Sequence, residues 1–312
     1  MLRLILRRFA WSVPLALVAS GVSFVLIRFL PGDPARSLMG PNATEDQLAA
    51  ARQELRLDEP VWRQYWEWLG GAIHGDLGSS LFSRTPVTDI LNGRLGASMS
   101  LIVGATLLAS VIGIALGVRG ARKGLIGRTV DTFSMLGLAI PDFWLGLVLV
   151  VVFAVSLPLL PPTGYVPFAV DPAGWLESLI LPVITLAVPA TAIIAKQTRD
   201  AMATALDKSF VRTLRAAGIS ERSVVYRHAL KNAAIPIVTV VGLVFISALS
   251  GTVAVEFIFA IPGLGSSALQ ATSGRDFPVI QGVVVYFTFI VIAVNLLVDL
   301  AYGYFNPRVR LS

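Results

Sequence analysis

The sequence predicts an all-α integral membrane protein, on three observations. Its apolar runs are long enough to cross a bilayer, its charge content is too low for a water-soluble globule, and its basic residues gather at alternate ends of the runs. Of 312 residues, 55% are apolar and 14% charged, against about 25% charged in an average soluble domain; the mean hydropathy is +0.75. Roughly 20 apolar residues are needed for one helical crossing of the hydrocarbon core. Six runs meet that length, at 9–30, 99–118, 133–157, 176–195, 233–255 and 279–302. They predict six transmembrane helices with one long connection, 31–98, between the first and the second. No repeat, low-complexity tract or flexible linker interrupts them, so 1–312 reads as a single membrane domain.

The first run follows Arg3, Arg7 and Arg8, as the apolar stretch of a signal peptide would. That stretch usually extends over only about 7 to 15 residues, whereas this one continues to Leu30, so an uncleaved first span is expected. Orientation follows from Lys and Arg near the spans. The N-terminus carries three, 119–131 four, 196–231 eight, and the tail Arg308 and Arg310, which makes seventeen of the twenty-five. The segments 159–177 and 256–274 carry none. By the positive-inside rule both termini and the second and fourth connections are cytoplasmic, and an even number of spans agrees. The net charge of +6 therefore signals orientation and contact with anionic lipid headgroups rather than nucleic acid.

The extracytoplasmic connection, 31–98, has its own short helices. Thr44-Glu45-Asp46-Gln47 reads as a capping box opening a helix through Leu48, Leu55 and Leu57. Trp62, Tyr65, Trp66 and Leu69 fall at i, i+3, i+4 and i+7, one aromatic stripe along a helix. Such a stripe suits first the membrane interface, where Trp and Tyr are enriched, and the same loop can also offer a ligand-binding surface.

Several chemistries are excluded. With no cysteine there is no disulfide framework, thiolate metal site or cysteine nucleophile. The phosphate loop G-x-x-x-x-G-K-[ST] is absent; the nearest glycine cluster, Gly120 to Gly127, is followed by Arg128. G-x-S-x-G and H-E-x-x-H are absent too, and neither His74 nor His228 lies in a predicted span. The intramembrane polar residues are Arg28, Asp142, Glu256, Asn295 and Asp299. Ionisable groups at such depths mark a pathway or a structural pair, and most of these stand near span ends, where snorkelling also accommodates them. Asp142, Glu256 and Asp299 leave a proton-coupled carrier or channel open at this point.

The cytoplasmic segment 197–236 is the most informative. It reads as a helix ending near Ala217, a break at Gly218 suited to a left-handed C-cap, then Ser220 as N-cap with Glu221 in the next first turn. Ala216, Ala217 and Gly218 at the corner admit close approach of another protein, with Arg212, Arg215, Arg222 and Arg227 around them. An ordinary basic loop touching lipid would need no such helix-break-helix plan, so a docking element is expected.

The run RTLRAAGISERSVVYRHALKNAAIP from Arg212 resembles the coupling segment of ABC-importer permeases, in the form typical of the dipeptide and oligopeptide permease family. PGDPA at Pro31, LRLDEP at Leu55, GDLGSS at Gly75, IPDFWLGL at Ile140, LPPTGY at Leu160, VEFIFAIPGLG at Val255, RDFPVIQG at Arg275 and NLLVDLAYGYFNPRVR at Asn295 resemble that family's signatures, in its order along the whole chain. The resemblance implies the type I importer permease fold and a place in the prokaryotic plasma (inner) membrane. It also implies a homologous second permease, one or two cytoplasmic ATPase subunits that bind ATP and magnesium, and an extracytoplasmic substrate-binding protein or lipoprotein. This chain itself would bind no cofactor and catalyse nothing. The wider family opens its coupling loop Glu-Ala-Ala, with glycine after three more residues; those slots here hold Arg212, Thr213 and Leu214. The docking role thus carries over to Arg212–Arg222, including Arg215, Ile219 and Ser220, without a glutamate at its head. Trp62, Tyr65, Trp66 and the turn Pro262-Gly263-Leu264-Gly265 would face the binding protein. Substrates implied by the family are dipeptides and oligopeptides, with glutathione, nickel complexes and other small solutes as alternatives.

Overall fold

The computed structural model describes residues 2–29, 32–121 and 125–305, with backbone only for 2–7, 9, 125, 126 and 138. Pro31 at the head of the long connection, Arg122 and Lys123 of the second basic cluster, the Arg3 and Arg7 side chains, and the tail with Arg308 and Arg310 lie outside that description.

Five of the described helices are long and apolar enough to cross a membrane: α1 (Leu2–Ile27), α5 (Val87–Gly120), α8 (Pro172–Leu206), α10 (Glu221–Ile258) and α12 (Phe277–Phe305). The sixth expected span, 133–157, is a bent pair, α6 (Leu125–Ala139) followed by α7 (Asp142–Ser156), with 92° between their axes. The bend falls at Pro141. Proline lacks the N–H of the helical ladder and forces the residue before it out of helical conformation, so one apolar run becomes two rods. Short helices complete the series: α2 (Pro34–Met39), α3 (Glu45–Glu54), α4 (Val61–Ala72), α9 (Ser209–Ala216) and α11 (Leu264–Gly274). Among the described residues strand pairing is limited to an isolated bridge between Ser79 and Pro86.

Backbone packing divides the chain into two compact units. Among the described residues, one holds Met99–Ile261 and 293–305; the other holds Leu4–Ser98 and Pro262–Ile292.

In the first unit α8 is central, flanked by α6, α7 and α10. Its face toward α5 is close-packed because that helix offers glycines. A Cβ at Gly113 would stand 2.9 Å from Ile194, and one at Gly117 2.5 Å from the Thr198 Cβ and 2.7 Å from the Ala195 carbonyl. Small residues four apart let two helix backbones approach in a bilayer, where no hydrophobic force drives helices together. The buried hydroxyls of Thr185 and Thr191 donate to the carbonyls of Leu181 (2.8 Å) and Ala187 (2.6 Å), which removes the cost of burying them. Helix α10 passes, after Glu221–Ser223, into a π-helical turn at Val224–Ala229, one residue wider than the α repeat.

In the second unit the capping box forms as expected. The Thr44 N–H donates to Gln47 Oε1 (3.0 Å) and the Gln47 N–H to Thr44 Oγ1 (3.4 Å). Helix α3 stops earlier than the apolar spacing suggests. Arg56 adopts a left-handed φ of 52°, and the Leu57 N–H returns to the Arg52 carbonyl (2.9 Å), so Leu57 folds back onto Ala35, Leu48 and Ala51, as a hydrophobic contact commonly does past a left-handed stop. Helix α4 lies along α1. The Tyr65 hydroxyl donates to the Leu17 carbonyl (3.2 Å), and its ring meets Phe24 edge-on at 5.6 Å. Trp62 and Trp66 on the same helix remain 66% and 63% exposed, so the aromatic stripe is divided between an inner and an outer face.

Candidate functional site

Two regions gather the residues singled out from sequence, one in each unit. In the first, α9 ends as read: Ala217 caps it, Gly218 takes a φ of +74°, the Gly218 N–H donates to the Arg215 carbonyl (3.0 Å), and the Ile219 N–H to the Leu214 carbonyl (3.1 Å). This pair of bonds is the Schellman motif, which satisfies carbonyls the helix end would otherwise orphan. Ser220 precedes Glu221 at the start of α10 but makes no side-chain cap bond. Instead Arg215 grips Glu221 across the corner with two bonds, 3.0 and 2.8 Å. A planar fork on a carboxylate fixes direction as well as distance. Val211, Val224 and Val225 anchor both arms in the unit's core. Arg212, Thr213, Ala216, Ala217, Gly218, Ser220, Glu221 and Arg222 stay exposed, and a Cβ at Gly218 would meet nothing within 4 Å. The corner is thus rigid from within and open from outside.

An ionic knot that sequence reasoning did not pick out lies in the same unit. Asp131 on α6 pairs with Arg199 and, at 3.5 Å, with Lys196 of α8; Lys196 also holds Asp200 (3.0 Å), and the Arg199 Nε–H donates to the Gly120 carbonyl at the end of α5 (3.2 Å). The only sequence signal was opposite charge at i, i+4 in α8; the link to Asp131 spans 68 residues.

The intramembrane polar residues differ in burial. Asp142 opens α7, half-buried, close enough to α10 that a Cβ at Gly251 would be 3.4 Å from its Oδ2. Glu256 is fully buried and Asp299 nearly so, while Asn295, one turn before Asp299, is exposed.

In the second unit the recognisable motifs converge. Gly32 of PGDPA has a φ of +117° and lies so near Arg275 of RDFPVIQG that a Cβ would stand 2.1 Å from its Nε. Arg275 in turn donates to Ser37 Oγ (2.9 Å). Asp276, buried, accepts the Ser80 hydroxyl of GDLGSS (2.5 Å) and the Leu81 N–H (3.2 Å). Gln281 receives the Ser23 hydroxyl (2.6 Å) and donates to the Ser20 carbonyl (2.9 Å). The Pro262–Gly265 turn caps α11: the Leu264 N–H donates to Ser98 Oγ (2.7 Å) and the Gly263 N–H to Ser266 Oγ (3.0 Å). Gly263 and Gly265 are buried and Pro262 exposed. Asp33 caps α2 and pairs with Arg52 at 2.5 Å. Partial burial pushes its carboxyl up, and the Arg52 hydrogen bond with the Ala35 N–H outweighs this, leaving its pKa below the ordinary carboxylate value.

Long apolar helices around a central α8, with a rigid corner between two of them, give the fold of a type I importer permease. In the solved inward-facing MetNI methionine ABC transporter, the matching chain superimposes with a TM-score of 0.58 and 18% identity, covering 70% of this chain and 96% of that one. The chain belongs to the family described as binding-protein-dependent transport system inner membrane component, whose model matches residues 109–311, with its N-terminal companion model on 1–102. Relatives include a peptide transport system permease protein of Brucella abortus, 39% identical over 312 residues and 99% of each chain. A peptide ABC transporter permease of Sinorhizobium fredii is 39% identical over 98% of each, and a glutathione transport system permease of Escherichia coli K12 is 36% identical over 99% of each. It is a multi-pass inner-membrane permease subunit.

Proposed function

We propose that this chain forms half of the translocation pathway for short peptides in an ATP-driven importer, the whole length serving as one permease domain. The reading rests chiefly on the 39% identity to peptide permeases along 99% of the chain. The relative that carries glutathione, itself a tripeptide, belongs to the same chemical class and supports the second reading, uptake of glutathione-like peptides.

The corner Arg212–Arg222 docks into a groove on a partner ATPase, which binds ATP and magnesium while this chain catalyses nothing. Exposed Ala216, Ala217 and Gly218 permit close seating, and the Schellman turn with the Arg215–Glu221 fork carries displacement into α10 without dissipating it. Coupling needs an element with two arrangements that both sites bias; the spans of this chain and a homologous second permease supply it. Both termini face the cytoplasm on the positive-inside argument, and the 31–98 connection with exposed Trp62 and Trp66, together with the separate turn at exposed Pro262, faces an extracytoplasmic binding protein. Buried Gly263 and Gly265 shape that surface from beneath, as Tyr65 does by holding α4 to α1. Asp142, Glu256, Asn295 and Asp299 are candidates for pathway or structural polarity.

Proteoliposomes holding the complete complex test this. ATP-dependent uptake of a labelled dipeptide or tripeptide, with substrate-stimulated ATP hydrolysis abolished by Gly218→Leu, is the expected result. Uptake by this chain alone, driven by a pH gradient and indifferent to ATP, would overturn it.

A further inference from the structure

Two neighbouring cavities in the second unit, joined by one shared wall, have complementary linings. The first, of about 140 Å³, is lined by Arg28, Gln64, Trp68 and Gln281 among apolar residues that include Phe24 and Pro278. Its glutamines are already committed: Gln64 accepts from Arg28 and donates to the Glu59 carbonyl (2.8 Å), while Gln281 is bonded at both ends to Ser20 and Ser23. Among the described residues Arg28 bonds only to neutral oxygens, those of Gln64 and the Leu57 carbonyl (3.3 Å), and no carboxylate lines the cavity. The Trp68 Nε1–H is buried and bonds to nothing among the described residues. A guanidinium with spare N–H groups and the residue that carries an orphaned indole N–H line the same cavity, with no anion among its described lining to receive them, and a buried polar group left so is costly.

The second cavity, of about 260 Å³, lies between α1, α4 and α12. Its walls include Ala16, Leu17, Leu69, Ala72 and Phe289, and Trp68 again. The three hydroxyls it contains already have partners: Ser12 donates to the Arg8 carbonyl (2.9 Å), Ser20 lies within bonding distance of the Leu17 carbonyl (3.2 Å) and the Tyr65 hydroxyl (3.0 Å), and Thr288 donates to Val284 (2.7 Å). A cavity of this lining offers water no partners, and it runs beside the Ala10–Ile27 stretch of α1, at membrane depth. Only hydrocarbon suits it. At 1.5 Å per residue, Ala16 lies about 18 Å along α1 from Arg28, close to the roughly 15 Å that one leaflet's hydrocarbon occupies.

We propose that these cavities form one binding site for an anionic diacyl phospholipid, its phosphodiester on Arg28 and Trp68 Nε1 and one acyl chain in the groove between α1, α4 and α12. Charge complementarity selects the headgroup and the dry groove selects the chain. Neither contact involves the corner at 212–222.

Native mass spectrometry of the purified full-length chain, delipidated and then titrated with palmitoyl-oleoyl phosphatidylglycerol, tests it. One tightly retained lipid is expected. Arg28→Gln and Trp68→Phe, the second removing an N–H and leaving the ring, should each weaken retention roughly tenfold, and Ala72→Leu should abolish it by filling the groove. Arg28→Lys, which keeps the charge, guards against loss through misfolding and should retain lipid better than Arg28→Gln. Equal retention by wild type and Arg28→Gln, no retained lipid, or equal thermal stabilisation by inorganic phosphate alone would each overturn the proposal.

Discussion

The corner at 216–221 and the cluster around Asp276 are both built from residues recognisable in sequence, yet one is organised around empty space and the other around its absence. At the corner a Cβ on Gly218 meets nothing within 4 Å, and the bonds named above join parts of the corner to one another. At the cluster, a Cβ on Gly282 would lie 2.4 Å from Val87 and 2.9 Å from Leu91, and buried polar atoms close upon one another. A motif can therefore persist because its surroundings must stay vacant for a visitor, or because they are full. Substitution tells the two apart, since the first kind should affect function with little loss of stability and the second should do the reverse.

The largest effect is expected at the full site. Gly282→Leu should destabilise by about 3 kcal/mol through overpacking against Val87 and Leu91, read as a lowered midpoint of thermal unfolding in detergent. Asp276→Ala should follow at about 2 kcal/mol, because it strands the Ser80 hydroxyl and the Leu81 N–H inside the unit; Asp276→Asn, which keeps an acceptor, should cost less. At the empty site Gly218→Ala should cost only about 1 kcal/mol, the penalty of a left-handed conformation for a residue with a Cβ, while the bulkier Gly218→Leu, at similar thermal stability, removes coupled ATP hydrolysis from the reconstituted complex. A stability loss at Gly218 as large as that at Gly282 would erase the distinction. Arg215→Gln should be smaller still in stability, as its half-exposed fork with Glu221 is screened by salt, and its effect should shrink further between low and high ionic strength.

A pH titration separates the regions last and most gently. Asp33 has a folded pKa below its unfolded value of about 3.9, so its pairing with Arg52 stabilises fully above that value and is lost as pH falls through the lowered one. Unfolding followed from pH 5 to 2 should show this component in wild type and not in Asp33→Asn.

Local signals were legible in proportion to how locally they are satisfied. Thr44 and Gln47 complete each other three residues apart, and Gly218 ends a helix by bonds reaching back no further than Leu214, so both could be read from a short window. The break at Pro141 was equally local, but the apolar run through 133–157 masks it, since hydropathy measures length and not direction. Leu57 was assigned to α3 by its spacing, whereas the left-handed turn at Arg56, a residue type not expected there, folds it back. The pairings Gly32 with Arg275 and Ser80 with Asp276 bring together motifs about two hundred or more residues apart. Each half was recognisable; nothing in the spacing of either announces its mate, because only the folded chain brings them together. The lipid-facing cavities were invisible for the same reason.

The π-helical turn at Val224–Ala229 stands between the corner and the length of α10. It holds a surplus of one residue over the regular repeat. Were that surplus passed one step along the helix, the part left behind would turn by about 100° and advance about 1.5 Å, with every hydrogen bond remade and no span displaced sideways. A rod with such a wedge at its foot converts a push into a screw motion. The angle at which side chains of α10 present themselves can then change while the helix keeps its place among its neighbours.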